Sequence, residues 1–177
     1  MDADDVLLPA SPSVAARAEA GGMPVYEQRR YIGPGPDREP VNGLVLVNPA
    51  HGVWLRAIAA LDVEIAWATS WHQTANALLA RAYDLPDLPV MNVGPYDSDT
   101  RFGCSLKSGA ILEHVGDRPL VWVDNVFGGK DSGWGEDRTA AGSPTLLIHV
   151  DASVALVKSQ MDAVTRWLTD LRETAPW

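Results

Sequence analysis

Two aspartates, Asp2 and Asp4, stand two positions apart immediately ahead of the apolar run Val6-Leu7-Leu8. Further along, Thr69 and Ser70 follow the apolar run Val63–Ala68, Lys107 opens a helical pattern, and Asp124 and Asn125 follow Leu120–Val123. Gathered at one sheet edge, these carboxylates, a hydroxyl and a lysine suit phosphoryl transfer. In that chemistry Asp2 attacks phosphorus in line and forms an aspartyl-phosphate. Asp4 protonates the leaving oxygen and then activates water. Thr69 hydrogen-bonds a phosphoryl oxygen, and Lys107 neutralises developing charge. Asp2, Asp124 and the main-chain carbonyl of Asp4, with Asn125 beside them, form a hard oxygen set for Mg²⁺.

Each of these residues also has a plainer reading. Asp2, Asp4 and Asp5 alone make an acidic terminus, and termini fray. Thr69 and Ser70 can cap a helix starting near Gln73. Lys107 can be a solvated lysine at a helix start, with Lys130 its rival for a phosphate contact; these two and Lys158 are the only lysines. Asp124 can cap a loop. Cys104 lacks a recognisable base, and His51, His72, His114 and His149 show no metal-ligand spacing. Trp54, Trp67, Trp122 and Trp167 sit on apolar faces and read as core. Trp71 and Trp134 lie beside the proposed site and suit packing more than stacking on a substrate.

The elements that must position these groups follow from periodicity and punctuation. Residues 6–23 read as a loop with at most a short helical turn. Pro24–Ile32 and Leu44–Val47 read as strands of a hairpin with a long loop, Gly33–Gly43. Trp54, Leu55, Ile58 and Leu61 recur at helical spacing after Pro49. Val63–Thr69 reads as a buried strand, and Gln73–Tyr83 as a helix. Then follow a helix over Lys107–Val115, a strand over Pro119–Asp124, and a short helix near Glu136–Ala141. A strand over Pro144–Val150 precedes a long amphipathic helix over Val154–Leu171. This alternation predicts an α/β fold: a three-layer, Rossmann-like parallel sheet flanked by helices, as one domain over residues 1–177. A small β-hairpin cap is inserted at about residues 24–48. In open parallel sheets ligands bind beyond the carboxyl ends of the strands, which is where Thr69, Asp124 and Asn125 fall.

Asp2-Ala3-Asp4-Asp5-Val6-Leu7 resembles the DxDGVL motif of the haloacid dehalogenase-like (HAD) superfamily. Ile65-Ala66-Trp67-Ala68-Thr69-Ser70-Trp71, with Ala75-Asn76, is similar to the W-x-T-x-W…A-N segment of one branch, the HAD domains of Swiss Army knife RNA repair proteins. Leu120-Val121-Trp122-Val123-Asp124-Asn125 resembles that branch's V-W-I-D-D strand, and Pro144-Thr145-Leu146-Leu147 its next strand. The resemblance spans nearly the whole chain in order. It implies Asp2 as nucleophile, Asp4 as acid/base, Thr69 and Lys107 as phosphate ligands and Asp124 as metal ligand. Asp5 stands where the motif has Gly, and Asn125 where it has a second acid, for which Asp131 is a substitute. The resemblance also ends the sheet's central strand at the nucleophile. About 4–5 apolar residues of that strand are therefore expected ahead of Asp2, with the native start upstream of Met1.

Composition sets the outer bounds. The 177 residues carry 14 Lys+Arg against 23 Asp+Glu, a formal charge of -9, which argues against a general nucleic-acid coat or an anionic-membrane binder. One cysteine excludes an internal disulfide and a Cys-based zinc site. The acidic start is unlike a secretory signal, no apolar run is long enough to span a bilayer, and a cytoplasmic location is expected. The expected function is an Mg²⁺-dependent phosphohydrolase acting on a phosphorylated substrate, with RNA ends suggested by the resemblance alone. The alternative is a catalytically impaired HAD-like binding module. A nucleotide or flavin binder is disfavoured because no strand leads into a Gly-rich phosphate loop.

Overall fold

Ser11 accepts the Val14 amide with its hydroxyl, and Pro12 takes the first turn, so helix α1 (Pro12–Ala20) starts there. The expected loop over residues 6–23 is thereby corrected. Its alanines favour helix, and the Gly and Pro residues stand at the helix ends rather than inside it. The computed structural model describes residues 1–23, 25–94, 100–101 and 103–174. Pro24, expected to open a strand, lies outside them.

Strands β1 (Glu27–Pro34) and β2 (Pro40–Val47) pair antiparallel from Glu27 opposite Val47 to Pro34 opposite Pro40. The hairpin loop is therefore much shorter than Gly33–Gly43. A 3₁₀ turn at Pro36–Arg38 closes it, with the Gly35 amide on the Glu39 carbonyl, and the prolines sit at the last pair, where a missing amide costs least. Helix α2 (Pro49–Ala59) is capped by the Asn48 side chain. Among the described residues the expected strand over Val63–Thr69 carries an isolated parallel bridge, Trp67 with Val90, and no strand ladder. The helix expected over Gln73–Tyr83 carries a π-helical turn, Asn76–Ala80. Asn76 there turns its side chain to the Trp67 indole and to both backbone groups of Leu88.

A two-residue ladder not legible in the sequence, β3 (Thr100–Arg101) with β4 (Cys104–Ser105), leads into α3 (Ser108–Val115). Gly116, at φ 57, ends that helix in a conformation glycine adopts without strain. Strand β5 (Leu120–Asp124) is followed by α4 (Asp131–Ala140), a longer helix than Glu136–Ala141. Asp131 favours its first turn, and Gly135 lets it approach Leu147 closely. Strand β6 (Thr145–His149) lies parallel to β5. Helix α5 (Lys158–Thr174) starts later than Val154 for two reasons. Ala155 has φ 66, and the Leu156 amide is drawn to the Val6 carbonyl.

The fold is thus mixed α/β with a parallel two-stranded sheet, on which α4 and α5 pack against β6. Individual bonds continue beyond the assigned strands. The Asp2 amide donates to the Val123 carbonyl (3.2 Å), the Ala68 amide to the Met1 carbonyl (2.9 Å), and the Met1 nitrogen to Ala66 (2.8 Å). Trp67 bonds Pro89 and Met91 on its other side. Trp67 and Val123 belong to one apolar cluster, while their neighbours Ala68 and Trp122 belong to another. Trp54 and Trp167 are half-buried at the edge of the first cluster rather than within it. Among the described residues no helix is long and apolar enough to cross a membrane.

His51 is fully buried in α2, its Nε2–H donating to the Leu156 carbonyl (3.1 Å), and burial pushes its pKa down from 6.5 to about 4. Above the unfolded value both states hold a neutral ring, and the contribution of His51 is fully present. As pH falls from 6.5 towards 4 the unfolded chain gains a proton that the folded ring resists. The expected loss over that window is about 3 kcal/mol. Urea denaturation at neutral and acidic pH checks this: His51→Gln loses correspondingly less than the parent, and equal losses would contradict it.

Candidate active site

Asp2 is brought beside β5 by the hydrogen bond its backbone N–H donates to the Val123 carbonyl, and Asp124 ends β5 itself. Lys107 stands immediately ahead of α3 and is fully buried. Its Nζ donates to Asp2 Oδ2 (2.7 Å) and to Asp124 Oδ2 (2.9 Å). Burial works against the charge on Lys107, but the two carboxylates outweigh it and hold its pKa above the ordinary lysine value. Both acids are anchored further. Asp2 Oδ1 accepts the Ala3 amide (2.7 Å). Asp124 Oδ1 accepts the Val126 amide (3.0 Å), and Oδ2 the Trp122 indole N–H (3.0 Å). Two buried carboxylates around one ammonium leave a formal charge of minus one, which favours a cation nearby.

The other expected residues border this cluster. Thr69 is buried one position beyond Ala68, which bonds Met1, and its Oγ1 accepts the Trp71 amide (3.4 Å). That leaves the hydroxyl proton able to point elsewhere. Asp4 Oδ1 accepts the indole N–H of Trp71 (2.8 Å). Tyr31 of β1 in turn meets Trp71 edge to face, with ring centroids 6.0 Å apart. Trp71 thus packs in the apolar core, as expected, and in addition ties Asp4 to the hairpin. Lys130 is exposed at the start of α4, so Lys107, not Lys130, touches the acids.

Asp5 and Asn125, where the sequence departs from the motif it resembles, are bonded to each other, Asn125 Nδ2 to Asp5 Oδ2 (3.3 Å). A second acid at 125 would face a like charge, whereas an amide donates. Asp5 also sits at φ 56, in the left-handed region that favours glycine and that aspartate tolerates better than most residues. Burial pushes its carboxyl up. Asp131, buried at the start of α4, accepts the amides of Ser105 (2.9 Å) and Gly128 (2.7 Å) with its Oδ2, bracing the segment ahead of Lys107.

Among the described residues no three His, Cys, Asp or Glu side chains form a group that could hold a metal ion. Mg²⁺, however, is commonly held by one or two carboxylates together with waters and substrate phosphate. The residues present fit that pattern. Asp2 and Asp124 supply two carboxylates, and the buried Asn125 Oδ1 has no hydrogen-bond partner among the described residues. The roles of Trp71, Trp122 and Asp5 were not legible in the sequence. The one signal was a run of tryptophans flanking polar residues at the ends of apolar runs. No family model matches the chain, and no curated protein or solved structure matches it either.

Proposed function

We propose that this chain is an Mg²⁺-dependent phosphohydrolase of the HAD type, working through a phosphoryl group carried on Asp2. The observation that carries the reading is the Lys107 ammonium held between the Asp2 and Asp124 carboxylates. The bonds of Met1 and Asp2 to Ala66, Ala68 and Val123 support a wider sheet. In it, residues 1–2 lie between β5 and residues 66–68, with 89–91 beyond them and β6 at the far side. The two apolar clusters, one on each side of that sheet, support a three-layer, Rossmann-like arrangement. The catalytic groups then share the carboxyl edge of the sheet.

The Asp2 carboxylate attacks phosphorus, forming an O–P bond as the ester P–O bond breaks. Asp4, oriented by Trp71, gives its proton to the leaving oxygen and later takes one from the water that attacks phosphorus. That second step releases inorganic phosphate and restores Asp2. Thr69 donates to a phosphoryl oxygen, and Lys107 holds Asp2 ionised and in place. Mg²⁺, held by Asp2, Asp124, the Asp4 carbonyl and Asn125 Oδ1, would neutralise phosphoryl charge when bound. The β1–β2 hairpin serves as a small cap, its Tyr31 resting on Trp71. A small cap leaves room for a large substrate, and RNA ends follow from the resemblance alone.

A second reading, a HAD-like binding module with impaired catalysis, is favoured by the Asp5–Asn125 pair, which adds one acid and removes another beside the site. Hydrolysis of a generic aryl phosphate separates the two. The enzyme reading expects turnover with Mg²⁺ that disappears when a chelator removes the metal. A folded sample with no metal-dependent turnover supports the binding module.

A further inference from the structure

The side chain of Asn125 ends in two groups of nearly equal size and opposite chemistry. Its carbonyl oxygen can hold a cation, and its –NH₂ cannot. Half a turn of the amide exchanges them, so the neighbour decides which end is offered. That neighbour is Asp5, whose Oδ2 accepts from Asn125 Nδ2 at 3.3 Å. An ionised carboxylate only accepts hydrogen bonds. Turned the other way, the amide would set its own oxygen against the Asp5 oxygen, lone pair to lone pair. The Nδ2 end is thus committed to Asp5. The Oδ1 end is buried and has no hydrogen-bond partner among the described residues. A buried acceptor left in that state carries a cost that a cation would relieve.

The backbone on both sides leaves little freedom except this choice. Asp5 sits in a loop closed on itself. The Leu7 and Leu8 amides donate to the Ala3 carbonyl (2.9 Å each), and the Asp5 amide donates to the Leu8 carbonyl (2.9 Å). Across Asn125, the Val126 amide reaches back to Asp124 Oδ1 (3.0 Å) and fixes the turn that follows β5. We infer that Asp5 is a positioning residue whose carboxylate fixes the Asn125 amide with Oδ1 offered to Mg²⁺ beside Asp2 and Asp124. The inference rests on the metal site of the proposed function, and not on turnover there. It makes the two residues one unit. A carboxylate at position 125 would present oxygen at either end and need no orienting neighbour. An acid that merely added negative charge would instead draw a cation equally, whatever stood at 125.

Mn²⁺ binding, followed by electron paramagnetic resonance and displaced with Mg²⁺, tests this without substrate. Asp5→Gly removes the acceptor, and glycine takes φ 56 without strain. It weakens both ions roughly tenfold, the scale on which loss of a group orienting a metal ligand acts. Adding Asn125→Asp to it restores affinity to within about threefold of the parent, and on Asn125→Asp alone Asp5→Gly costs less than about threefold. Equal weakening by Asp5→Gly in both backgrounds would overturn the inference, since Asp5 would then act through charge alone. So would unchanged affinity in Asp5→Gly, or a parent chain that binds no Mn²⁺. Asp5→Asn keeps the side chain's shape and pairs with either end of the Asn125 amide, so it weakens both ions in the same sense. It replaces Asp5→Gly should that chain melt early. Turnover is read separately. The expected affinities in a folded chain that hydrolyses no aryl phosphate uphold the inference and support the binding module. Mg²⁺-dependent hydrolysis with equal affinities in every variant overturns the inference and leaves the enzyme reading in place.

Discussion

Lys107→Met unfolds at markedly lower urea than the parent chain, with about 3–5 kcal/mol of stability lost. The size follows from burial. Lys107 and Asp124 have fully buried side chains, and that of Asp2 is only 3% exposed. Methionine fills similar volume, so little of the loss is a cavity. What remains is a pair of carboxylates facing each other with their shared cation gone. Part of the loss is therefore recoverable by removing charge rather than restoring it. Lys107→Met combined with Asp2→Asn and Asp124→Asn regains a substantial fraction, because a neutral cluster has only hydrogen bonds to satisfy. Urea denaturation at constant slope measures both. A Lys107→Met chain as stable as the parent would mean that the ammonium does not hold the acids together.

The second large effect is on chemistry alone. Asp2→Asn keeps the shape of the side chain and leaves Lys107 paired with Asp124, so its stability changes by no more than about 1–2 kcal/mol. Its Mg²⁺-dependent aryl phosphate turnover falls by at least about 10³-fold, the scale on which loss of a covalent nucleophile acts. The two substitutions are informative together. Lys107→Met is lost from both stability and turnover, whereas Asp2→Asn separates them. Retained turnover in Asp2→Asn would remove Asp2 from the nucleophile's role while leaving the buried cluster intact.

Much of this site can be read along the chain because its members stand at the ends of apolar runs. Asp124 and Thr69 follow such runs, and Lys107 opens a helix whose stop at Gly116 is clear. What cannot be read are the contacts between distant segments: Trp71 on Asp4, Trp122 on Asp124, and Asn125 on Asp5. These pairs carry no periodicity, so an indole that binds a carboxylate looks in sequence like one that packs. The same holds for the fold. The late start of α5 depends on Leu156 reaching back to Val6, and the bracing of β4 on Asp131, neither of which is local. The short loop between β1 and β2 was hidden by its prolines, which pattern reading treats as breakers. Here they terminate a ladder instead of preventing one.

Hydrolysis by the proposed route requires Asp2 to take up the phosphoryl group. Rapid acid quench of the chain turning over an aryl phosphate with Mg²⁺, followed by peptide mass analysis, measures this directly. The peptide holding Asp2 is expected to carry the mass of one phosphoryl group, lost on treatment with hydroxylamine and absent in Asp2→Asn. Metal-dependent turnover with an unmodified Asp2 peptide, or with the label on another residue, would contradict it.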